Sequence, residues 1–589
     1  MVKKNYFYSK KRSKKYVKKT RRKFGNSRIY LLIFFFFAIG AVIIGRLFSI
    51  QVLMKDHYAK LAENQHVEES ILLPKRGEVL FSDEINFLAK NQGMEAVAVA
   101  PAEVDDLKKL SEILSLELKI SKKDVFKKIS KKNDPWIVIG TFPIEKTNNI
   151  KNIDGVHFES SFQRFFPQNE IASHIIGFYG YGSSGEKRIG QYGIEGFLND
   201  ELAGEEGYRK GIVDAKRREI FSTFNEIKDP IDGKDFILTL DFNIQFFIEG
   251  ILKETVKKYG AKGGTVIVMN PKNGDIFGMA SLPNFNPEEY TKEKDISVFN
   301  NPAISIPFEP GSIFKPIIMA AAIEEGVVTP ETSYIDNGNV KIGSYTIRNS
   351  DLKSHGEKTM TEVLDLSLNT GMVFVEQKLG NKKFIEYLKK FDFGEKTKIK
   401  LANESSGNIE NVLNPRSRDK MIEYANASFG QGINTTCAQI VKAFSAIANQ
   451  GRMVNPKIIK GTINSEGKKE EIIEKAQTQV LSPETASRLA AMMVSVVNNG
   501  YGEKAGIDGY LIAGKTGTAQ VPDLENGGYF SDRTIHSFVG FAPAFNPEFL
   551  ILVKMDEPKG VRFSSDSLAP VFKDIAQYLF TYFGIASEK

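Results

Sequence analysis

Between Ile29 and Gly45 the chain runs for 17 residues without a charged side chain, and the 28 residues before it carry 13 Lys/Arg and no Asp or Glu. With Leu47 to Leu53 following Arg46, the apolar span reaches roughly 25 residues, enough to cross about 30 Å of hydrocarbon with some tilt. In lipid a backbone must satisfy its own hydrogen bonds, so a segment of this kind is restricted to a membrane-spanning helix. The charge asymmetry predicts a cytoplasmic tail (1–28), an anchor (29–53) and all remaining mass outside. No small-x-small cleavage site follows the run, so the helix reads as an uncleaved anchor rather than a signal peptide. Arg46, near the outer end, reads either as an interface residue that snorkels toward water or as a contact for another membrane helix. The tail also explains the basic balance. The whole chain is net +7, but residues 29–589 hold 66 Lys/Arg against 72 Asp/Glu, a net of −6. The overall charge therefore gives no ground for a nucleic-acid partner.

Roughly 535 residues beyond the anchor are too many for a single core. Turn residues at Asp229-Pro-Ile-Asp-Gly233 suggest a boundary, giving a non-catalytic pedestal over 54–232 and a larger domain over 233–589. The pedestal segment mixes Lys/Glu-rich helical pieces with short strands and carries no catalytic constellation. In the larger segment, Gly264–Met269 and Asp275–Ala280 flank Asn273-Gly274, a hairpin signal. Ser537–Ala542 and Phe549–Val553 predict a second hairpin, followed by an amphipathic helix from about Ser567 to Phe583. Together with a strand around Lys515 these elements predict an α/β (α+β) domain: one antiparallel sheet flanked by helices. An all-helical insert from Phe314 to about Gln450 lies beside it. The single cysteine, Cys437, excludes intramolecular disulfides. The six histidines show no ligand spacing, so neither metal nor cofactor is expected.

Chemistry concentrates in three strings: Ser312-Ile-Phe-Lys315, Ser367-Leu-Asn369 and Lys515-Thr-Gly517 followed by Thr518. Singly they are weak, since Ser-x-x-Lys recurs at Ser184/Lys187, Ser350/Lys353 and Ser465/Lys468, and Ser-x-Asn at Ser406/Asn408. Context and order separate them. Ser312 follows Pro310-Gly311 and opens an apolar helical run, the second string comes 55 residues later, and the third, found once, lies 148 residues beyond that. Three apart on a helix, Ser312 and Lys315 share a face. A lysine can take a hydroxyl proton only when its amine is neutral, which burial among Phe314, Ile317 and Ile318 and the cation of Lys515 would favour. A loop between two helices can present Ser367 and Asn369 to a cleft. On an edge strand, Lys515, Thr516 and Thr518 can hold a carboxylate, and the amides of Ser312 and Thr518 can serve an oxyanion.

These strings, with Arg76-Gly77-Glu-Val, Phe162-Gln-Arg-Phe-Phe-Pro167, His174-Ile-Ile-Gly177, Gly193-Ile-Glu-Gly196, Glu309-Pro-Gly-Ser312 and Phe429-Gly-Gln-Gly432, resemble the class B penicillin-binding proteins. The likeness covers nearly the whole chain and is strongest to the division-specific peptidoglycan D,D-transpeptidases. The resemblance implies a penicillin-binding, serine β-lactamase-like transpeptidase domain on an elongated α+β pedestal. It implies that Ser312 forms an acyl-enzyme, Lys315 is its base, Ser367 relays protons and Asn369 holds the donor amide. Lys515, Thr516, Gly517 and Thr518 would bind the terminal carboxylate of D-Ala-D-Ala stem peptides or of a β-lactam. It further implies a bacterial cytoplasmic membrane location, a role in septal cell-wall synthesis, and a polytopic glycan polymerase among division-protein partners. Leu368 stands where class A β-lactamases have aspartate, which argues against that group. Alternatives of the same fold are an elongation-type transpeptidase, a D,D-carboxypeptidase, a β-lactamase or a catalytically silent scaffold. A membrane β-lactam sensor would need a signalling domain that a 28-residue tail cannot house.

Overall fold

The computed structural model describes residues 27–58, 67–131, 134–182, 185, 187–212, 226–415, 421–472, 477–523 and 525–587. The basic tail that the sequence places at 1–28 lies almost wholly outside them. The described chain forms two compact units, one from residues up to 72 with 207–229, the other from 73–206 with 230–589.

In the first unit the apolar run forms the helix Ser27–Phe48, extended by a π-helical turn Ser49–Leu53. The apolar helical span Arg28–Leu53 is 26 residues long, roughly 39 Å at 1.5 Å per residue. Its large side chains, among them Leu31, Phe34 and Phe37, are exposed. In water that exposure is costly, and a bilayer removes the cost. The same unit holds a three-stranded antiparallel sheet of Val67–Leu72, Gly207–Ile212 and Glu226–Lys228.

In the second unit the long strand Phe87–Val99 pairs with Ile137–Pro143 on one side and Val156–Phe165 on the other. The helix Leu107–Leu118, capped by Asp106, seals Leu110, Leu114 and Leu118 into the core under this sheet. Val79–Leu80 pairs with Asp235–Leu238, which in turn pairs with Ile459–Ile463.

The second sheet carries the site. Its strands are β1 (Gly263–Met269), β2 (Ile276–Leu282), β3 (Ala513–Pro522), β4 (Tyr529–Ala542) and β5 (Phe549–Asp556). They are ordered β2-β1-β5-β4-β3, antiparallel throughout, so that β3 is an edge. Both hairpins expected from the sequence are present. Along β5 the side chains alternate between two cores: Phe549, Ile551 and Val553 face one, Leu550 and Leu552 the other. The first core is closed by helices α1 (Phe242–Tyr259) and α6 (Ser564–Tyr582). The second is closed by α2 (Lys315–Glu324), α3 (Met360–Asp365), α4 (Asn369–Leu379) and α5 (Pro483–Asn499). Burial on both faces explains why β1 and β5 read as nearly continuous apolar runs rather than alternating ones.

The insert between residues 314 and 450 is not all-helical. Ser333–Asp336 pairs with Gly356–Thr359, and Asn339–Ile342 with Tyr345–Arg348. Turn chemistry overrides the helical pattern there. Gly338 and Gly343 adopt φ of 77° and 55°, and the β-branched Val340, Ile342, Thr346 and Ile347 suit strands better than helices.

Candidate active site

The three strings converge on one cleft of about 710 Å³ whose walls include Ser312, Ser367, Asn369, Thr516 and Thr518. Ser312 lies in a 3-10 turn, Gly311–Phe314, that runs directly into α2. The preceding Pro310-Gly311 sets that turn: Gly311 has φ 58°, and its N–H donates to Gly430 O at 3.0 Å. Ser312 is half-buried, and among the described residues nothing is hydrogen-bonded to its Oγ.

Lys315 is fully buried. Its Nζ donates to Ser367 O at 2.5 Å and Asn369 Oδ1 at 2.8 Å, and lies 3.3 Å from Ser367 Oγ. Burial, then the nearby Lys515 cation, holds its amine well below the usual lysine range. This is the direction expected from the sequence, and it favours the neutral form of the amine, the form that can accept a proton.

Ser367 bridges α3 and α4 in the left-handed region, φ 53°, a conformation that costs a non-glycine residue on the order of 1 kcal/mol. The turn points its carbonyl at Lys315 and its hydroxyl at both lysines. Lys515 Nζ donates to Ser367 Oγ at 3.0 Å and to Thr516 O at 3.2 Å. Successive strand residues face opposite sides. Thr516 and Thr518 therefore share the face that lines the cleft, while Lys515 turns inward and is fully buried. Burial lowers its pKa to about 7, against the opposing pull of the Asp365 carboxylate. Lys515 thus stands behind the cleft wall, in reach of the Ser367 hydroxyl, rather than out in the cleft.

Gly517 makes this edge possible. A Cβ there would lie 2.3 Å from Ser537 Oγ and 2.9 Å from Ile313 Cγ2, so only glycine lets β3 press against the Gly311–Phe314 turn. Thr518 Oγ1 accepts from the N–H of Ser564 at 3.2 Å, tying β3 to the start of α6.

Sequence reasoning gave no role to several residues around the cleft. Glu309 Oε1 accepts from Gly432 N–H at 3.0 Å and Tyr529 O–H at 3.2 Å, and burial pushes its carboxyl up to about 7. It opens the Glu309-Pro-Gly-Ser312 segment, but a carboxylate before a proline carries no signal of its own. Asp365, two residues before Ser367, accepts from Ser495 O–H at 2.9 Å and is pushed up to about 6, chiefly by burial. Asp336 and Asn349 come from the misread insert. Of the rival Ser-x-x-Lys matches, Ser350 lines the cleft beside Asn349, and Ser184 lies outside the described residues.

An antiparallel sheet between two helical layers, with a serine at a turn-to-helix start beside its edge strand and a buried lysine one turn on, defines the class of serine acyl transferases that recognise penicillin. The penicillin-binding protein transpeptidase domain matches residues 264–577, and the penicillin-binding protein dimerisation domain matches 71–238. The chain belongs to the penicillin-binding transpeptidase family. Among its relatives is stage V sporulation protein D of Bacillus subtilis, 34% identical over 95% of this chain and 86% of that protein. The peptidoglycan D,D-transpeptidase FtsI of Buchnera aphidicola is 28% identical over 94% of both chains. Penicillin binding protein 2X of Streptococcus thermophilus shares the fold with a TM-score of 0.77 at 24% identity, over 87% of this chain and 80% of that one. Penicillin binding protein 3 of Mycobacterium tuberculosis, solved with aztreonam, gives 0.68 at 26% identity, over 88% and 98%.

Proposed function

We propose that this chain is a membrane-anchored peptidoglycan D,D-transpeptidase working through an acyl-enzyme on Ser312. The observation that carries the reading is the hydrogen-bonded path from Lys315 through Ser367 to Lys515 beside that serine. Ser312 Oγ attacks the carbonyl carbon of the penultimate D-Ala, and its proton passes to Lys315 Nζ. The tetrahedral oxyanion is held by the amides of Ser312 and Thr518. It collapses with release of the terminal D-Ala, whose nitrogen takes a proton delivered through Ser367. An acceptor amine then attacks the ester, loses a proton along the same path and frees Ser312. Asn369 presents its amide to the donor peptide, while Thr516, Thr518 and the charge of Lys515 behind them favour the terminal carboxylate.

The test is covalent labelling of the full-length protein with a fluorescent penicillin and mass mapping of the adduct. Label is expected on Ser312, and Ser312→Ala should abolish it without loss of folded protein. An adduct on another serine would refute the assignment. Incubation with a stem pentapeptide and an acceptor amine separates the reading from its runner-up. Amide product marks a transpeptidase, whereas hydrolysis alone marks a D,D-carboxypeptidase.

The division into a pedestal over 54–232 and a catalytic domain over 233–589 belongs to the same proposal. So does the orientation, with the N-terminus cytoplasmic and the catalytic domain outside the cytoplasmic membrane. Protease added to intact spheroplasts should destroy the chain beyond about residue 55; survival of the catalytic half would reverse the topology. No glycan-polymerising constellation accompanies the acyl-transfer site among the described residues, so a cross-linker of this kind needs a polymerase beside it. The exposed anchor helix is a surface for that contact, because membrane helices pack by shape and not by apolarity alone. Replacing residues 29–53 with an unrelated membrane helix should leave penicillin acylation intact but impair septal synthesis. Normal division at native protein levels would reduce the anchor to a tether.

A further inference from the structure

The Ser367–Asn369 turn is held from outside its own helices. Leu368, at the N-cap position of α4, has no polar side chain to offer the first free N–H groups. The cap comes instead from Asn349, 20 residues earlier, at the end of the Tyr345–Arg348 strand. Its Oδ1 accepts from Asn369 N–H at 3.0 Å and Thr370 N–H at 3.3 Å. Its Nδ2 donates to Asp336 at 2.9 and 3.1 Å and to Lys353 O at 3.3 Å. Asp336 also accepts from Thr370 O–H at 2.7 Å and from the N–H groups of Gly338 and His355, each at 2.9 Å. Arg348 O accepts from Asn369 Nδ2 at 3.0 Å. Asp336 and Asn349 are both buried.

The direction of these bonds fixes the chemistry. Asp336 is surrounded by donors, so it stays ionised and acts only as an acceptor. Burial would raise its pKa, but Thr370, Gly338, Asn349 and His355 outweigh that and hold it below the usual carboxylate range. An ionised Asp336 forces the Asn349 amide to point its Nδ2 inward and its Oδ1 at the turn. That oxygen sets the backbone of Asn369, and with it the Asn369 Oδ1 and Ser367 O that receive the Lys315 amine. The other titratable groups around the knot are Tyr334, Arg348, Asp351, Lys353 and His355. Tyr334 O–H lies 3.2 Å from Thr370 Oγ1, and His355 is paired with Asp351 at 2.8 Å.

We propose that Asn349, oriented by Asp336, is a positioning residue for acylation: it caps α4 from the neighbouring hairpin and so sets Ser367 and Asn369 against Lys315. This rests on the catalytic reading given above. A displacement of catalytic groups by about 1 Å can cost about 10²-fold in rate, so Asn349→Ala should slow penicillin acylation of the full-length protein by that order at every pH. Its final labelling stoichiometry should stay that of the wild type. Asn349→Asp gives the readout that loss of packing alone would not. When protonated, the introduced carboxyl reproduces the bonds to Asp336 and the turn, its O–H donating to Asp336 and its C=O accepting from Asn369, and gives up only the 3.3 Å bond to Lys353 O. When ionised, it sets two buried carboxylates together. Asn349→Asp should therefore acylate near the wild-type rate at pH 5.5 and fall toward Asn349→Ala as the pH rises and the shared proton is lost. A rate that stays near wild type throughout means the proton is retained, and supports the same role. Acylation of Asn349→Ala within twofold of wild type would overturn the proposal, as would Asn349→Asp no faster than Asn349→Ala at pH 5.5. If Asn349→Ala yields no folded protein, the comparison of Asn349→Asp with Asp336→Asn, which removes the orienting charge, decides the matter by the same criteria. Absence of label on wild-type Ser312 would instead defeat the catalytic reading itself, so the two failures are distinguishable.

Discussion

Lys315→Arg is expected to cut β-lactam acylation of Ser312 by about 10³-fold, the scale of losing a positioned general base. The wild-type amine is buried, held well below its usual pKa, and hydrogen-bonded to Ser367 and Asn369. Guanidinium cannot give up its proton at any working pH, so arginine keeps the charge and loses the base. Lys515→Arg should behave differently. That residue also reaches Ser367 Oγ, but its pKa falls only to about 7, and Asp365 sustains its charge. Arginine retains that charge while giving up a point-like donor. A loss of one charge-assisted hydrogen bond, roughly 10–100-fold, is expected, expressed mainly in binding. The measurement is the second-order rate of fluorescent penicillin labelling, resolved into binding and acylation steps. Equal residual acylation in the two variants would contradict the separation of roles.

Much of the site was legible because its chemistry is local. A serine and a lysine three residues apart at a helix start share a face by geometry alone, and the Lys-Thr-Gly-Thr strand is marked by a glycine whose place the structure explains. The hairpins and the sheet followed from turn signals. Illegible were the contacts made at a distance. The inward turn of Lys515 depends on which face of β3 packs on the core, and strand period alone does not say which. Asn349 caps a helix from a hairpin hidden inside what reads as a helical insert, because turn glycines there override a helical pattern. No local pattern marks a residue whose whole role is the direction of its amide.

The strings in the first half of the chain show the same division between what is visible and what explains it. Arg76, Arg164 and Glu195 each sit in a segment that resembles the family, and nothing in sequence says why. In the structure they form one buried ion cluster. Glu195 is fully buried, with Arg76 Nη2 and Arg164 Nη2 each 2.6 Å from its oxygens. Arg164 Nη1 donates to Gly77 O at 2.7 Å, and Arg76 lies 4.7 Å over the Tyr179 ring. One carboxylate thus holds two guanidinium groups away from water. Glu195→Gln keeps the shape but removes the carboxylate bonded to both guanidinium groups, leaving Arg164 only the more distant pull of Glu78 and Asp235, and should destabilise the protein by about 3 kcal/mol. The penalty arises from what is left behind rather than from the worth of the intact cluster. Replacing all three residues with apolar ones of similar size, Arg76→Met, Arg164→Met and Glu195→Leu together, should therefore recover most of the loss. Denaturation midpoints of the full-length protein, followed by retention of penicillin labelling, measure both variants. If Glu195→Gln melts with the wild type, the cluster is solvated in solution; if the triple variant is worse than the single one, the three charges contribute net stability as a set.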